Sequence, residues 1–172
     1  MLDGYEIIDA DFHIYEPFEM WKDDLEQEFK QYALLALIEG GILERYPELK
    51  VGFLELGCGW LPYWLWRLDE EYTNLAWEVK ENVKLKPSEY FRRQCFIAIE
   101  ASEPYLEEAT KYIGINNLIF GSDYPHMDRN PDVIQNVVAL EAQISPESLK
   151  QILWDNPARF YRVNSSFDNQ PF

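Results

Sequence analysis

The chemistry available to this chain comes from imidazole and carboxylate side chains that follow short apolar segments. His13 and His126 are its two histidines, and each lies just after a predicted strand. Asp11 precedes His13 in Asp-Phe-His, and Asp123 precedes His126 in Gly-Ser-Asp-Tyr-Pro-His. Because side chains at positions i and i+2 of an extended chain point to one face, Asp11 and His13 can bind one divalent cation. Oxygen and nitrogen donors of this kind suit zinc or manganese.

Each of these residues also has a purely structural interpretation. Asp11 could accept backbone N–H groups at the end of a strand, and His13 and His126 could be solvated imidazoles. Glu16 could join the metal ligands or cap the next segment. Asp123 ends a buried apolar strand, where an unpaired carboxylate is costly. It could be a metal ligand, a general base or a proton shuttle, or it could only form a turn.

A third group of candidates surrounds the turn Gly57-Cys58-Gly59. Glu55 ends the predicted strand before this turn, and it is either a site residue or part of a salt bridge at the rim. Cys58 could be a nucleophile, but no histidine lies near it in sequence, which favours a buried and inert thiol. The tryptophans that follow favour a core or an interface over a cofactor site; they are Trp60, Trp64 and Trp66.

These candidates follow elements that alternate between strand and helix patterns. Alternation of this kind predicts an α/β fold with parallel strands, in which ligands bind at the carboxyl edge of the sheet. The predicted strands are Glu6–Asp11, Leu49–Leu54, Cys95–Glu100 and Leu118–Ser122. The predicted helices are Tyr32–Tyr46, Trp60–Asn82, Ser88–Arg93, Ser102–Ile113, Pro131–Gln143 and Pro146–Tyr161, with Ser88 and Ser102 as caps.

Composition narrows the range of partners. The 172 residues include 31 Asp and Glu against 15 Lys and Arg, so the net charge is −16. A charge of this sign disfavours nucleic acid and anionic membrane surfaces, because both would be repelled. No apolar run is long enough to span a bilayer, and the N-terminus has no secretory pattern. With only two cysteines, we expect a cytoplasmic protein.

Five segments, in the same order along the chain, carry a resemblance to a known family. The chain resembles the amidohydrolase-related family, which includes decarboxylases of the aminocarboxymuconate semialdehyde type. The resemblance implies a metal-dependent (β/α)8 barrel that hydrolyses or decarboxylates a small carboxylated or carbonyl compound. The segments are IDADFHIYEP, GGILERYPELKVGFLELGCGWLPYWLWRLDE, YFRRQCFIAIE, IGINNLIFGSDYPH and ILWDNPARFYRV.

The resemblance also implies roles for the candidate residues. One divalent ion, Zn or Mn, would be bound by Asp11, His13 and Asp123, with Glu16 as a further ligand. Catalysis would fall to Asp123, His126 and Glu55, with Asp123 or His126 handling the proton and Glu55 as the alternative to Glu16 as the further ligand. The match leaves out the C-terminal tail, so we expect a single domain over residues 1–163 and a frayed tail over 164–172.

The chain is shorter than the barrel that the resemblance implies. A complete barrel takes about 250 residues, whereas four strands are predicted here, as equivalents of strands one, six, seven and eight. The fifth-strand histidine of the family would be absent. The first strand would then pair with the sixth, or the chain would associate through the helix Trp60–Asn82 as a homo-oligomer. The alternatives to an enzyme are an inactive remnant that acts as an oligomeric scaffold and an acidic interaction module.

Overall fold

Three short parallel strands form the sheet of the described structure. The computed structural model describes residues 6–10, 29–124 and 130–163. The middle strand and one of its neighbours are entirely buried, as expected for parallel strands that are covered on both faces. The predicted α/β class with parallel strands is therefore confirmed, whereas the numbering of the strands as those of a barrel stays a prediction. In sheet order the strands are β1 (Val51–Phe53), β2 (Cys95–Ile99) and β3 (Leu118–Phe120).

The first predicted strand is not a strand over its described part, residues 6–10. The amide of Ala10 donates to the carbonyl of Phe120 at 3.0 Å, whereas the amide of Ile8 donates to the carbonyl of Leu153 at 2.8 Å. Its hydrogen bonds are thus divided between a strand and a helical segment, so no ladder forms. The segment lies along the edge of β3 that β2 leaves open. Within the described residues β1, which was predicted to be the equivalent of the sixth strand, pairs with β2, so the predicted pairing of β1 with the N-terminal segment is wrong.

Helices precede the first strand, connect the strands and follow the last one. Their positions agree with the predicted elements, although their boundaries differ and the last predicted helix is divided. Most of the helices are shorter than predicted, whereas α4 extends one residue further at each end and α1 begins three residues earlier. The helices are α1 (Phe29–Glu39), α2 (Ile42–Arg45), α3 (Leu61–Val79), α4 (Pro87–Gln94), α5 (Leu106–Ile113), α6 (Val133–Ala139), α7 (Pro146–Lys150) and α8 (Asn156–Tyr161). Short 3-10 turns cover Ile115–Asn117 and Leu140–Ala142, and a π-helical turn covers Gln151–Asp155.

Glycine and proline explain two of the differences from the predicted helices. Gly41 has a φ of 67°, in the left-handed region, so the predicted helix Tyr32–Tyr46 is divided into α1 and α2. Pro157 lacks an amide hydrogen and lies in the first turn of α8, where none is required. A π-helical turn precedes it, so the helical path from Pro146 to Tyr161 widens instead of stopping.

The two serines predicted as helix caps have other roles. Ser88 lies inside α4, and both its amide and its hydroxyl donate to the carboxylate of Asp69 in α3, at 2.9 and 2.7 Å. Ser102 lies in a turn in which the amide of Glu103 donates to the carbonyl of Glu100 at 3.1 Å. Helix α5 therefore begins only at Leu106. Ser88 therefore binds a distant carboxylate instead of capping its helix, and Ser102 takes part in a local turn instead of a cap.

The sheet is covered on both faces. The helices bury the larger apolar cluster against one face. The other face carries a small cluster in which the ring of Phe160, from α8, packs on Phe96 of β2 with ring centroids 5.2 Å apart. Among the described helices, none combines the length and the apolar composition needed to cross a bilayer. On α3, Tyr63, Trp66 and Trp77 are exposed, and self-association through this helix stays a prediction.

Two buried asparagines hold the beginnings of the strands. The amide of Asn117 donates to the carbonyl of Cys95 at 2.8 Å, at the start of β2. The amide of Asn156 donates to the carbonyls of Leu118 and Ile115, both at 2.7 Å, at the start of β3. Both side chains are almost fully buried, so these backbone carbonyls have little access to water. The side chains therefore replace water as donors, as buried carbonyls require.

We expect Asn156→Ala to lower the free energy of unfolding by about 1–3 kcal/mol, because buried carbonyls lose their donor. Urea denaturation followed by circular dichroism measures this change. Asn116→Ala is the matched control, since the side chain of Asn116 is exposed and its substitution should leave stability nearly unchanged. Equal effects of the two substitutions would contradict the assigned role of Asn156.

Candidate functional site

Two predicted site residues lie at the carboxyl edge of the sheet. Glu55 follows β1 and Asp123 follows β3, and because the strands are parallel, both loops leave the sheet at the same edge. One strand separates them, so two strand spacings place the ends of β1 and β3 about 10 Å apart. Glu55 is exposed and Asp123 is half-buried. A small molecule bound at this edge can reach both loops.

The backbone is strained at both of these carboxylates. Glu55 and Asp123 each have a φ of 55°, in the left-handed region that residues with a side chain rarely adopt. Within the described ranges, the third such residue is Arg162, which ends α8 and has the left-handed conformation common at helix ends. Strain of this kind costs about 1–3 kcal/mol and is concentrated at functional sites. The strained pair therefore supports the carboxyl edge as the candidate site.

The N-terminal segment reaches the loop that contains Asp123. The carboxylate of Asp9 accepts a hydrogen bond from the amide of Ser122 at 3.0 Å. The hydroxyl of Tyr161 donates to the carbonyl of Ala10 at 2.8 Å and holds the segment from another side. The chain positions around Asp9 and around Asp123 thus converge, although they are 113 residues apart at this hydrogen bond.

Asp9 is a residue that the sequence analysis did not select as a candidate. It was considered only as part of the predicted strand Glu6–Asp11. A carboxylate among apolar residues of a predicted strand requires a partner, and this was the signal that could have identified it.

A third carboxylate, that of Glu103, lies between the loops after β1 and β2. It accepts hydrogen bonds from the amides of Cys58 and Gly59, at 2.8 and 2.6 Å, and from the amide of Glu100 at 3.1 Å. The sequence analysis placed Glu103 in the first turn of a helix and missed this role. Two glycines beside Cys58 were the signal, because turns of this kind leave backbone N–H groups that need acceptors.

The Cys58 thiol is buried and inert, as the sequence analysis favoured. It donates to the Glu103 carboxylate at 3.3 Å and is inaccessible to solvent. Burial, followed by the negative charge of Glu103, raises the pKa of the Cys58 thiol well above its usual value. Burial likewise raises the pKa of Cys95 to about 12. A nucleophilic thiolate requires a lowered pKa, so these cysteines do not act as nucleophiles in this conformation.

The remaining site predictions lie outside the described residues. These are Asp11, His13 and Glu16 in the metal set, and His126 in the catalytic set. Within residues 6–10, 29–124 and 130–163, no group of three or more His, Cys, Asp or Glu side chains is close enough to hold a metal ion. A metal site at this edge would therefore need side chains from outside these ranges, and the predicted ligands Asp11, His13 and Glu16 stay a prediction.

The comparison with known families agrees with this geometry. A sequence profile described as amidohydrolase matches residues 8–163. The chain belongs to the amidohydrolase family. This confirms the resemblance inferred from the sequence motifs, and the matched region includes both strained carboxylates, Glu55 and Asp123.

Individual relatives of this chain are decarboxylases. The gamma-resorcylate decarboxylase of Polaromonas sp. (strain JS666 / ATCC BAA-500) is 28% identical over 134 residues, which make up 76% of this chain and 39% of that protein. The crystal structure of 5-carboxyvanillate decarboxylase from Sphingomonas paucimobilis is 30% identical, with a TM-score of 0.62, over 77% of this chain and 39% of that one.

A further solved structure contains a metal ion. Dihydroxybenzoic acid decarboxylase from Polaromonas sp. JS666, with bound manganese and the inhibitor 2-nitroresorcinol, is 26% identical with a TM-score of 0.66. The match covers 80% of this chain and 41% of that one. The chain thus spans about two fifths of the length of the relatives that it matches.

We expect Asp9→Ala to weaken the junction between the N-terminal segment and the loop after β3. The Ser122 amide would lose its acceptor, so its hydrogen exchange should accelerate and the free energy of unfolding should fall by about 1–3 kcal/mol. Asp9→Asn is the matched control, because its amide oxygen can still accept this hydrogen bond. Unchanged exchange at Ser122 in Asp9→Ala would show that the junction does not depend on this carboxylate.

Proposed function

We propose that this chain contributes to a metal-dependent site that decarboxylates or hydrolyses a small carboxylated or carbonyl compound. The observation that carries the proposal is the junction between Asp9 and Ser122, which brings the N-terminal segment to the loop of Asp123. Asp11 and His13 follow Asp9 by two and four positions. The strained backbone at Asp123 and Glu55 supports the same edge of the sheet.

The donor set at this edge suits a divalent cation. Asp123 is a half-buried carboxylate at the end of a buried strand, and such a group is stabilised by a positive partner. Together with Asp11 and His13, and with Glu16 as a further ligand, it would bind one ion. A set with several carboxylates and one imidazole is hard and favours manganese over zinc. The manganese in the dihydroxybenzoic acid decarboxylase structure supports this choice.

The metal, when bound, would polarise the substrate carboxylate or lower the pKa of a bound water molecule. The protein side chains would handle the proton. In a non-oxidative decarboxylation the carbon–carboxylate bond breaks, carbon dioxide leaves, and a proton takes its place on the carbon atom. We assign this proton transfer to Glu55, with Asp123 and His126 as the other acid–base groups. Glu55 is exposed and follows β1, which β2 separates from β3. It lies at the same edge of the sheet as Asp123.

The proposed substrate is a small aromatic carboxylate. The relatives at 28% and 30% identity are decarboxylases of gamma-resorcylate and of 5-carboxyvanillate, and both are compounds of this class. The net charge of −16 makes nucleic acid and anionic membranes unfavourable partners. A cytoplasmic location and a homo-oligomer stay predictions from the sequence.

A second candidate function is a non-catalytic oligomeric scaffold. The observation that favours it is that α3 exposes the aromatic side chains of Tyr63, Trp66 and Trp77. Exposed aromatic side chains on one helix are typical of interaction surfaces. The two functions differ in whether the purified chain binds a metal ion.

We expect the purified chain to contain about one equivalent of Mn or Zn, as a single site of this kind would hold. Asp123→Ala should lose the metal ion, because it removes a ligand, and elemental analysis measures this. Asp132→Ala is the matched control, since Asp132 is exposed and precedes α6. A metal-free wild-type chain whose melting temperature does not respond to Mn²⁺ or Zn²⁺ would favour the scaffold.

We expect Glu55→Gln to lower the rate of carbon dioxide release from 2,6-dihydroxybenzoate or 5-carboxyvanillate by about 10²–10⁴-fold, the usual contribution of a general acid or base. The metal content should stay unchanged, because Glu55 is assigned to proton transfer. Glu48→Gln is the matched control, since Glu48 is exposed and precedes β1. Full activity in Glu55→Gln would remove Glu55 from the mechanism.

A further inference from the structure

The carboxylate of Glu103 connects the loops after β1 and β2. One oxygen, Oε1, accepts from the amides of Cys58 and Gly59, at 2.8 and 2.6 Å. The other oxygen, Oε2, accepts from the amides of Cys58 and Glu100, at 3.0 and 3.1 Å, and from the Cys58 thiol at 3.3 Å. Hydrogen bonds to an ionised acceptor are roughly twice as strong as neutral ones. The carboxylate of Glu103 thus attaches the loop after β1 to the neighbouring loop, and the indole of Trp60 adds a hydrogen bond to the carbonyl of Gly57 at 3.0 Å.

The turn after β1 is shaped to admit this carboxylate. Gly57 has a φ of +57°, and a Cβ atom built on it would lie 2.7 Å from Oε1 of Glu103. A side chain at position 57 would therefore displace the carboxylate. The absence of a side chain lets the amides of Cys58 and Gly59 surround the carboxylate closely.

Glu55 lies between two fixed points. On one side, β1 pairs with β2 through Phe53 opposite Ile97. On the other side, the amides of Cys58 and Gly59 are held by Glu103. The φ of 55° at Glu55 is unfavourable by itself, so it persists only where the surrounding structure imposes it. β1 alone fixes only one side of this residue.

We infer that Glu103 is the positioning residue for Glu55. It fixes the loop after β1 in the conformation that directs the Glu55 backbone into the left-handed region, and it couples this loop to the end of β2 through the Glu100 amide. Glu103 acts through the backbone and contacts no substrate in this role. The catalytic consequence rests on the proposed function of Glu55, whereas the attachment of the loop does not.

The reactivity of the Cys58 thiol reports on this attachment. The thiol is buried and hydrogen-bonded to Glu103, so Ellman's reagent should label it slowly in the folded wild-type chain. In Glu103→Ala we expect the labelling rate of Cys58, assigned by peptide mapping, to rise about tenfold or more, because the loop opens locally. Formate, which can occupy the vacated position between the amides, should slow the labelling again. Glu103→Gln retains the side-chain volume and decides the test where Glu103→Ala does not fold.

Glu108→Gln is the matched control, since Glu108 is an exposed glutamate in the first turn of α5. It should leave the labelling rate unchanged, with or without formate. Wild-type labelling rates in both Glu103→Ala and Glu103→Gln would overturn the inference. Labelling that rises in Glu103→Ala and does not respond to formate would overturn it as well, since general loosening would then explain the result.

Turnover of 2,6-dihydroxybenzoate separates the inference from the proposed function. With an active wild-type chain, Glu103→Gln should lower kcat about tenfold with little change in KM, because a mispositioned acid–base group affects the chemical step. Formate should restore part of the kcat of Glu103→Ala but none of that of Glu55→Gln. An unchanged kcat in Glu103→Gln overturns the positioning role. An inactive wild-type chain overturns the proposed function, whereas the thiol labelling still decides whether Glu103 holds the loop.

Discussion

Parallel pairing of three short strands is the constraint on which the rest of the structure depends. Parallel strands require cover on both faces, and the helices and the Phe160 ring provide it. The pairing also sends every loop after a strand to the same edge. Glu55, Glu100 and Asp123 follow the three strands at this shared edge, although they are far apart in sequence. The candidate site is therefore a consequence of the sheet, whatever reaction it supports.

Carboxylates hold the backbone of this edge together. Asp9 binds the amide of Ser122, and Glu103 binds amides from two loops. Asp69 has the same role between two helices, where it binds Ser88. Some acidic residues therefore stabilise the fold by accepting backbone hydrogen bonds, in addition to the charge that acidic residues give the surface. In the strained loops, these bonds hold the backbone in conformations that it would otherwise leave.

The α/β class and three of the strands could be predicted from the sequence. Apolar runs such as Cys-Phe-Ile-Ala-Ile are short, continuous and bounded by polar residues, so the strand pattern is strong. Cap positions were predicted less well, because Ser88 binds a carboxylate 19 residues away instead of its own helix. The division at Gly41 and the wide turn before Pro157 follow local backbone rules, and only their exact form required the structure.

The sequence by itself determined which residue types could do chemistry, namely Asp11, His13, Glu55, Asp123 and His126, and which family they resembled. Those properties are local, because they depend on side-chain chemistry and on spacing along an extended chain. Only the tertiary structure decided that the N-terminal segment borders β3, that Asp9 binds Ser122, and that Glu103 holds the turn at Cys58. These contacts join residues 45–113 positions apart, and no local pattern encodes which distant amide a carboxylate will reach.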